Sequence, residues 1–172
     1  IWDAYTKQLD SFWRAEELDY SEDHYDYMTL NEEEKHFIKM ILAFFEASDG
    51  IVNFNLRVRF LTDVKIMEAK VNYTYQMMME KIHSEVYSLL LDSVIKDPEE
   101  KRHLFNAIKT IPSVEKMANW AFKWIDSDKR FAYRLVAFAI VEGVFFSGAF
   151  ASIFWIKKYR CKGKMMMPGL LK

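Results

Sequence analysis

Four side chains able to bind a metal lie inside segments that otherwise read as apolar helix. Glu142 is the one charge in residues 136–155, surrounded by Phe138, Val141, Val144, Phe145 and Phe146. Burying a lone carboxylate among such neighbours is costly without compensation; a metal cation, a hydrogen-bond partner or protonation would each supply it. Asp49 falls in another helix-forming apolar run, residues 42–52. Aspartate is a poor mid-helix residue because its side chain competes for backbone hydrogen bonds. A tertiary partner is therefore expected, and a buried hydrogen bond is the plain alternative to a metal. Glu80 and His83 form a Glu-x-x-His, which places a carboxylate and an imidazole on one helix face about 60° apart. Tyr87 shares that face, about 20° from Glu80 around the axis.

The Glu-x-x-His spacing alone is weak, because it occurs three times, as Glu33/His36, Glu80/His83 and Glu100/His103. The outer two lie in charged first turns and read as solvated helix starts. Glu80/His83 sits between Met77-Met78-Met79 and Val86, Leu89, Leu90 and Leu91, where desolvation demands a partner. Carboxylates mixed with an imidazole on three long helices suit a non-haem iron or manganese pair in a helix bundle. Calcium or magnesium would not favour the imidazole, and structural zinc would usually recruit thiolates, of which only Cys161 exists.

These residues need long helices to position them, and the 172-residue composition agrees. Five glycines and three prolines are too few for a sandwich, barrel or doubly wound fold, each of which needs many tight turns. An all-α domain with few, long helices is expected. The apolar spacing predicts helices over about 1–17, 29–61, 64–96, a short one from Pro98, 112–125 and 129–159. Thr29 with Glu32 reads as a capping box, and Asp97 as the N-cap ahead of Pro98. Residues 19–27 read as an acidic, tyrosine-rich connector and residues 162–169 as a loop. Helices of 30 residues span about 45 Å, and short connections make them an antiparallel bundle.

Net charge is −1, which gives no electrostatic case for nucleic acid. Residues 1–34 carry eleven acids against two bases, and residues 157–172 carry six bases and no acid; both runs read as solvated surface. One cysteine excludes an internal disulfide framework and suits a reducing compartment, so a cytoplasmic protein is expected. Residues 136–155 are also long enough for a membrane-spanning helix, with Arg134 and Lys157-Lys158 as flanks, but no membrane association is expected. Ala139, Gly143, Ser147 and Ala151 form a small-residue ridge that permits close helix packing.

At the residues that carry the chemistry, the chain resembles the small, radical-generating subunit of class I ribonucleotide reductase, eukaryotic type. The resemblance rests on Phe12-Trp13-Arg14-Ala15-Glu16-Glu17-Leu18-Asp19, Ala47-Ser48-Asp49-Gly50-Ile51-Val52-Asn53, residues 80–88 (EKIHSEVYS) and residues 141–148 (VEGVFFSG). It implies a ferritin-like long-helix bundle, with residues 1–172 one helical domain forming the N-terminal portion of the family's domain. It implies Asp49, Glu80, His83 and Glu142 as ligands of two iron ions, manganese being the other candidate. It also implies Tyr87 as the residue oxidised to a stable radical when the diferrous site reduces dioxygen. Trp13 would relay an electron to the cofactor beside His83, and Phe146 and Phe150 would be the apolar wall that shields the radical. The radical would pass to a cysteine of a separate large subunit, where ribonucleotides become deoxyribonucleotides, and the small subunit would be a homodimer. From the residues alone, Trp13, Tyr87, Phe146 and Phe150 read as ordinary core.

Three features depart from the family pattern. A second Glu-x-x-His, expected near position 173, is not within the 172 residues, so the chain offers at most four of six ligands and an incomplete site is expected. Residues 160–165 look like a short insertion, and Phe54 stands where the family usually carries a glutamate. Two other functions compete: a ferritin-like di-iron oxidase or iron-handling protein, and an incomplete homologue that acts only by pairing with a complete subunit.

Overall fold

The computed structural model describes residues 1–159, and among these every regular element is helical. Ten α-helices follow in order: α1 (Trp2–Asp10), α2 (Asp23–Met28), α3 (Glu32–Asn55), α4 (Leu61–Asp63), α5 (Met67–Val94), α6 (Pro98–Phe105), α7 (Ala107–Thr110), α8 (Pro112–Ile125), α9 (Phe131–Ile140) and α10 (Phe146–Tyr159). A 3₁₀ turn covers Ala15–Glu17, and π turns at Leu56–Phe60 and Val141–Phe145 join α3 to α4 and α9 to α10. The expected all-α long-helix architecture is what forms.

α3 and α5 are the central pair. Only residues 64–66 separate α4 from α5, so the chain doubles back and the two long helices run antiparallel. Ile38, Leu42, Phe45, Val52, Leu56 and Phe60 of the first rod and Val86, Leu90 and Leu91 of the second all lie in one buried core, each at most 2% exposed, and Phe60 meets Tyr73 near the start of α5. Asn53 Nδ2 also donates to the Met77 carbonyl at 2.9 Å. α9 and α10 pack against α8 and α3. Arg134, expected as a charged flank, is instead 7% exposed and pairs with Asp63, while its Nε donates to the Lys129 carbonyl. That pair fastens the start of α9 to the end of the α3–α4 rod.

Several boundaries differ from the spacing argument. The first helix stops at Asp10 rather than about 17, because Ser11 turns back on Gln8 through both its amide and its hydroxyl. Trp13 therefore lies in the irregular stretch between α1 and the 3₁₀ turn. The acidic connector contains α2, whose end is closed by the Thr29 hydroxyl donating to the Asp26 carbonyl. The N-cap of α3 is consequently Asn31, in a reciprocal box with Glu34 at 2.9 and 3.0 Å, and not Thr29. Asp97 caps α6 as expected. The loop expected at 162–169 and the insertion at 160–165 lie outside the described residues.

The stretch Phe131–Ile156 is long and apolar enough to cross a membrane by length and composition, and 28% of its most apolar window is buried. Leu135, Val136, Val144, Phe154 and Trp155 are exposed on it. The small-residue ridge is not a packing seam among the described residues. Ala139, Gly143, Ser147 and Ala151 are exposed, and a Cβ added at Gly143 would meet nothing within 4 Å.

Candidate metal centre

α5 carries the stripe that organises the site. At 100° per residue, Gln76, Glu80, His83 and Tyr87 share one face, and α3 packs across it. Asp49 comes from α3 and is 2% exposed; Glu80 is 6% exposed. One ligand atom each from Asp49, Glu80 and His83 lie within 4.8 Å of one another. His83 Nδ1 contacts Glu80 Oε2 at 3.1 Å. Glu142, from the π turn, stands outside this trio and is joined to it through an amide. Gln76 Nε2 donates to Glu142 Oε1 at 3.2 Å and reaches Glu80 Oε1 at 3.5 Å.

The electrostatics show a deficit of positive charge. Burial, and then the carboxylates of Glu80, Glu142 and Glu46, hold the Asp49 carboxyl well above its ordinary value. Burial and Glu80 push Glu142 up to about 8, against the opposing Gln76 hydrogen bond. Burial also raises Glu46, one turn before Asp49, and Lys81 partly offsets it. Asp49 Oδ2 is buried without a hydrogen-bond partner among the described residues. An orphaned carboxylate oxygen beside further buried acids is the arrangement a cation resolves, and the oxygen-plus-imidazole set matches iron or manganese. The residues present fit such an ion.

Tyr87, 5% exposed, adjoins this cluster: its ring centroid is 6.5 Å from that of His83. Burial, and then Asp49, Glu80 and Glu142, push its phenol well above the ordinary value. The ring that covers it is Phe45, fully buried and stacked at 5.0 Å and 13°. Phe146 and Phe150 stand behind Phe45, at 5.6 and 4.7 Å from it. The aromatic wall is thus three-membered, and the sequence reading missed its contacting member. Phe45 lies one turn before Asp49 on the same face of α3, which is the signal that identifies it. Gln76 was missed as well, although it is four residues before Glu80 on one stripe.

Trp13 is 6% exposed, and its ring lies 5.7 Å from that of His83 at 31°. The segment that brings it there is held to α5 by the Tyr75 hydroxyl donating to the Gln8 carbonyl at 2.5 Å. The other two Glu-x-x-His pairs are on the surface: Glu33 and His36 lie in the solvated first turn of α3, and Glu100 pairs with Lys39. An open cleft of about 400 Å³ leads past Asn53, Arg57, Lys81 and Ser84 to Asp49 and Glu80, with Phe54 on its lining.

Comparison with known proteins agrees with this geometry. The family model described as "Ribonucleotide reductase, small chain" matches residues 1–171. The protein is 57% identical over 171 residues to a ribonucleoside-diphosphate reductase small chain of Arabidopsis thaliana, covering 99% of its own length and 50% of that relative's. It shares the same identity with the small chain of Encephalitozoon cuniculi, over 51% of that protein. The chain therefore spans about half the length of the curated relatives it matches. Among solved structures, the Rnr4 homodimer of Saccharomyces cerevisiae superposes with a TM-score of 0.82 at 38% identity, covering 98% of this chain and 52% of that one. A ribonucleotide reductase subunit from Clostridium botulinum matches in fold alone, with a TM-score of 0.83 at 20% identity over 98% and 54% of the two chains. Sequence, fold and the acid–imidazole cluster point the same way, and the chain belongs to the ribonucleotide reductase small-chain family.

Proposed function

We propose that this chain supplies four ligands of a two-metal centre in a ribonucleoside-diphosphate reductase small subunit, and that Tyr87 is the residue oxidised to a radical there. The observation that carries the reading is the convergence of Asp49, Glu80 and His83 within 4.8 Å beside the buried Tyr87. Asp49, Glu80, His83 and Glu142 would hold the metal, iron in the first instance and manganese as the other candidate. When bound, the metal pair with dioxygen supplies the one-electron oxidising power that the side chains lack.

The chain's own residues supply place and dryness. Tyr87 gives up an electron and its phenolic proton. Phe45, backed by Phe146 and Phe150, keeps water from its ring, and a phenoxyl radical persists only where reductants are excluded. Trp13, ring to ring with His83, stands where an electron from the surface side would reach the metal ligands. The radical then serves a separate large subunit that reduces ribonucleotides to deoxyribonucleotides, and the small subunit works as a homodimer in the cytoplasm. The named homodimer from Saccharomyces cerevisiae supports the pairing.

Electron paramagnetic resonance tests the reading. The intact protein is loaded anaerobically with Fe(II) and exposed to oxygen. A tyrosyl signal is expected, and Tyr87→Phe should remove it while leaving the iron bound. A signal that survives Tyr87→Phe refutes the assignment. Iron uptake without any organic radical favours a di-iron oxidase.

A further inference from the structure

We propose that Gln76 is a positioning residue, whose side-chain amide tethers Glu142 to α5 and so fixes the carboxylate that the third long helix brings to the site. The inference rests on the metal-centre reading for its purpose and on the hydrogen bonds alone for its existence.

Glu142 is not placed by the trio itself, since the ligand atoms within 4.8 Å belong to Asp49, Glu80 and His83. It also sits in a π turn, where the backbone departs from the regular i→i+4 ladder. The one side-chain hydrogen bond it makes among the described residues is from Gln76 Nε2, at 3.2 Å to Oε1. The same nitrogen lies 3.5 Å from Glu80 Oε1. A primary amide has two N–H groups on that nitrogen, so it can serve two acceptors. The two acceptors here are acids from different helices that repel each other.

The residue type matters. A lysine at 76 would place a full charge between the acids and compete with a cation. A glutamate would add a third negative group. A glutamine is a neutral double donor, so it holds both carboxylates without cancelling the charge that attracts a metal. Glu142 Oε1 is engaged, and Oε2 has no hydrogen-bond partner among the described residues, so it remains for a ligand. Partners of this kind typically contribute about 10–100-fold to metal affinity by holding the ligating group in place.

Two measurements on the intact protein test the tether. The first uses metal-free protein. Gln76→Met should lower the melting temperature by roughly 2–4 °C, as loss of one hydrogen bond does in a chain of this size. In a Glu142→Met background the same substitution should cost less than half as much. Equal shifts in both backgrounds overturn the proposal. The second uses Mn(II) alone, followed by its paramagnetic resonance. Gln76→Met should weaken binding by about 10–100-fold and alter the spectrum of the bound ion, with Asp49→Asn as the variant that abolishes the site. Unchanged affinity and spectrum in Gln76→Met also overturn the proposal. If the unsubstituted protein takes up no Mn(II), the metal-centre reading fails separately, and the melting comparison alone decides the tether.

Discussion

Replacing Glu142 by glutamine should stabilise the metal-free protein, and only above a definite pH. In the folded chain this carboxyl is raised from 4.5 to about 8 by burial and by Glu80. A folded-state value above the unfolded one means the native state holds the proton more tightly. Its contribution is therefore fully present below about 4.5 and is lost as pH rises toward 8. At about 1.4 kcal/mol per pH unit, that interval sets a ceiling of about 5 kcal/mol. Local relaxation and water reaching the carboxylate reduce this, so about 2–4 kcal/mol is expected. Glutamine keeps the shape and cannot ionise. The assay is urea unfolding in chelator, in steps from pH 5 to pH 9, on both proteins. The stability difference should be near zero at pH 5, grow in favour of Glu142→Gln through pH 6 to 8, and level off beyond. A difference that is constant with pH would falsify the burial argument, and one that grows in favour of the natural residue would reverse it. Asp49 is raised for the same reasons, so Glu142→Gln should flatten the wild-type slope without removing it.

Phe45→Ala should cost about 3–5 kcal/mol, at the upper end because the ring is fully buried and touches Tyr87, Phe146 and Phe150. Urea unfolding measures it, and a loss under about 1 kcal/mol would mean the wall is not packed as described. Asp63→Ala strands the buried Arg134 guanidinium and should cost about 3 kcal/mol, whereas the double variant Asp63→Leu/Arg134→Met should recover most of that. A double variant no better than the single one contradicts the stranded-charge account. Mn(II) binding at pH 6.5 should release protons, because Glu142, raised to about 8, must ionise to ligate, and its release should shrink toward pH 9. Calorimetry in buffers of different ionisation enthalpy reads this directly, and release independent of pH counts against it.

The acids at 49, 80 and 142 were legible because a charge inside an apolar helical run has few explanations. Context also separated Glu80/His83 from its two surface counterparts, whose neighbours are lysines, arginines and further acids. The end of α1 was not legible, since Phe12 and Trp13 continue the helical spacing while Ser11 ends the helix through hydrogen bonds to Gln8. α2 was hidden by its polarity. The start of α3 fell to Asn31 rather than Thr29, because the Thr29 hydroxyl is committed to Asp26 while the Asn31 side chain accepts from the Glu34 amide. The π turns escaped because a 100° periodicity cannot register one added residue. Phe45 and Gln76 were passed over for a common reason: their types are ordinary in a core, and only their position relative to Asp49 and Glu80 marks them.

The π turn at Val141–Phe145 makes helix length a functional variable in a place with no loop to absorb a change. Five residues at the wider π winding turn the chain about as far as four at 100° each, so removing one of them would restore a regular helix and leave α10 facing nearly as before relative to α9. The phenyl rings at 146 and 150 would still face Phe45 and Arg134 would stay locked to Asp63, while the acid at 142 would lose the widened turn that presents it. A single-codon deletion here should thus spare the fold and move chiefly the acid at 142, whereas the same deletion within the regular winding of α9 or α10 should turn everything beyond it by about 100°.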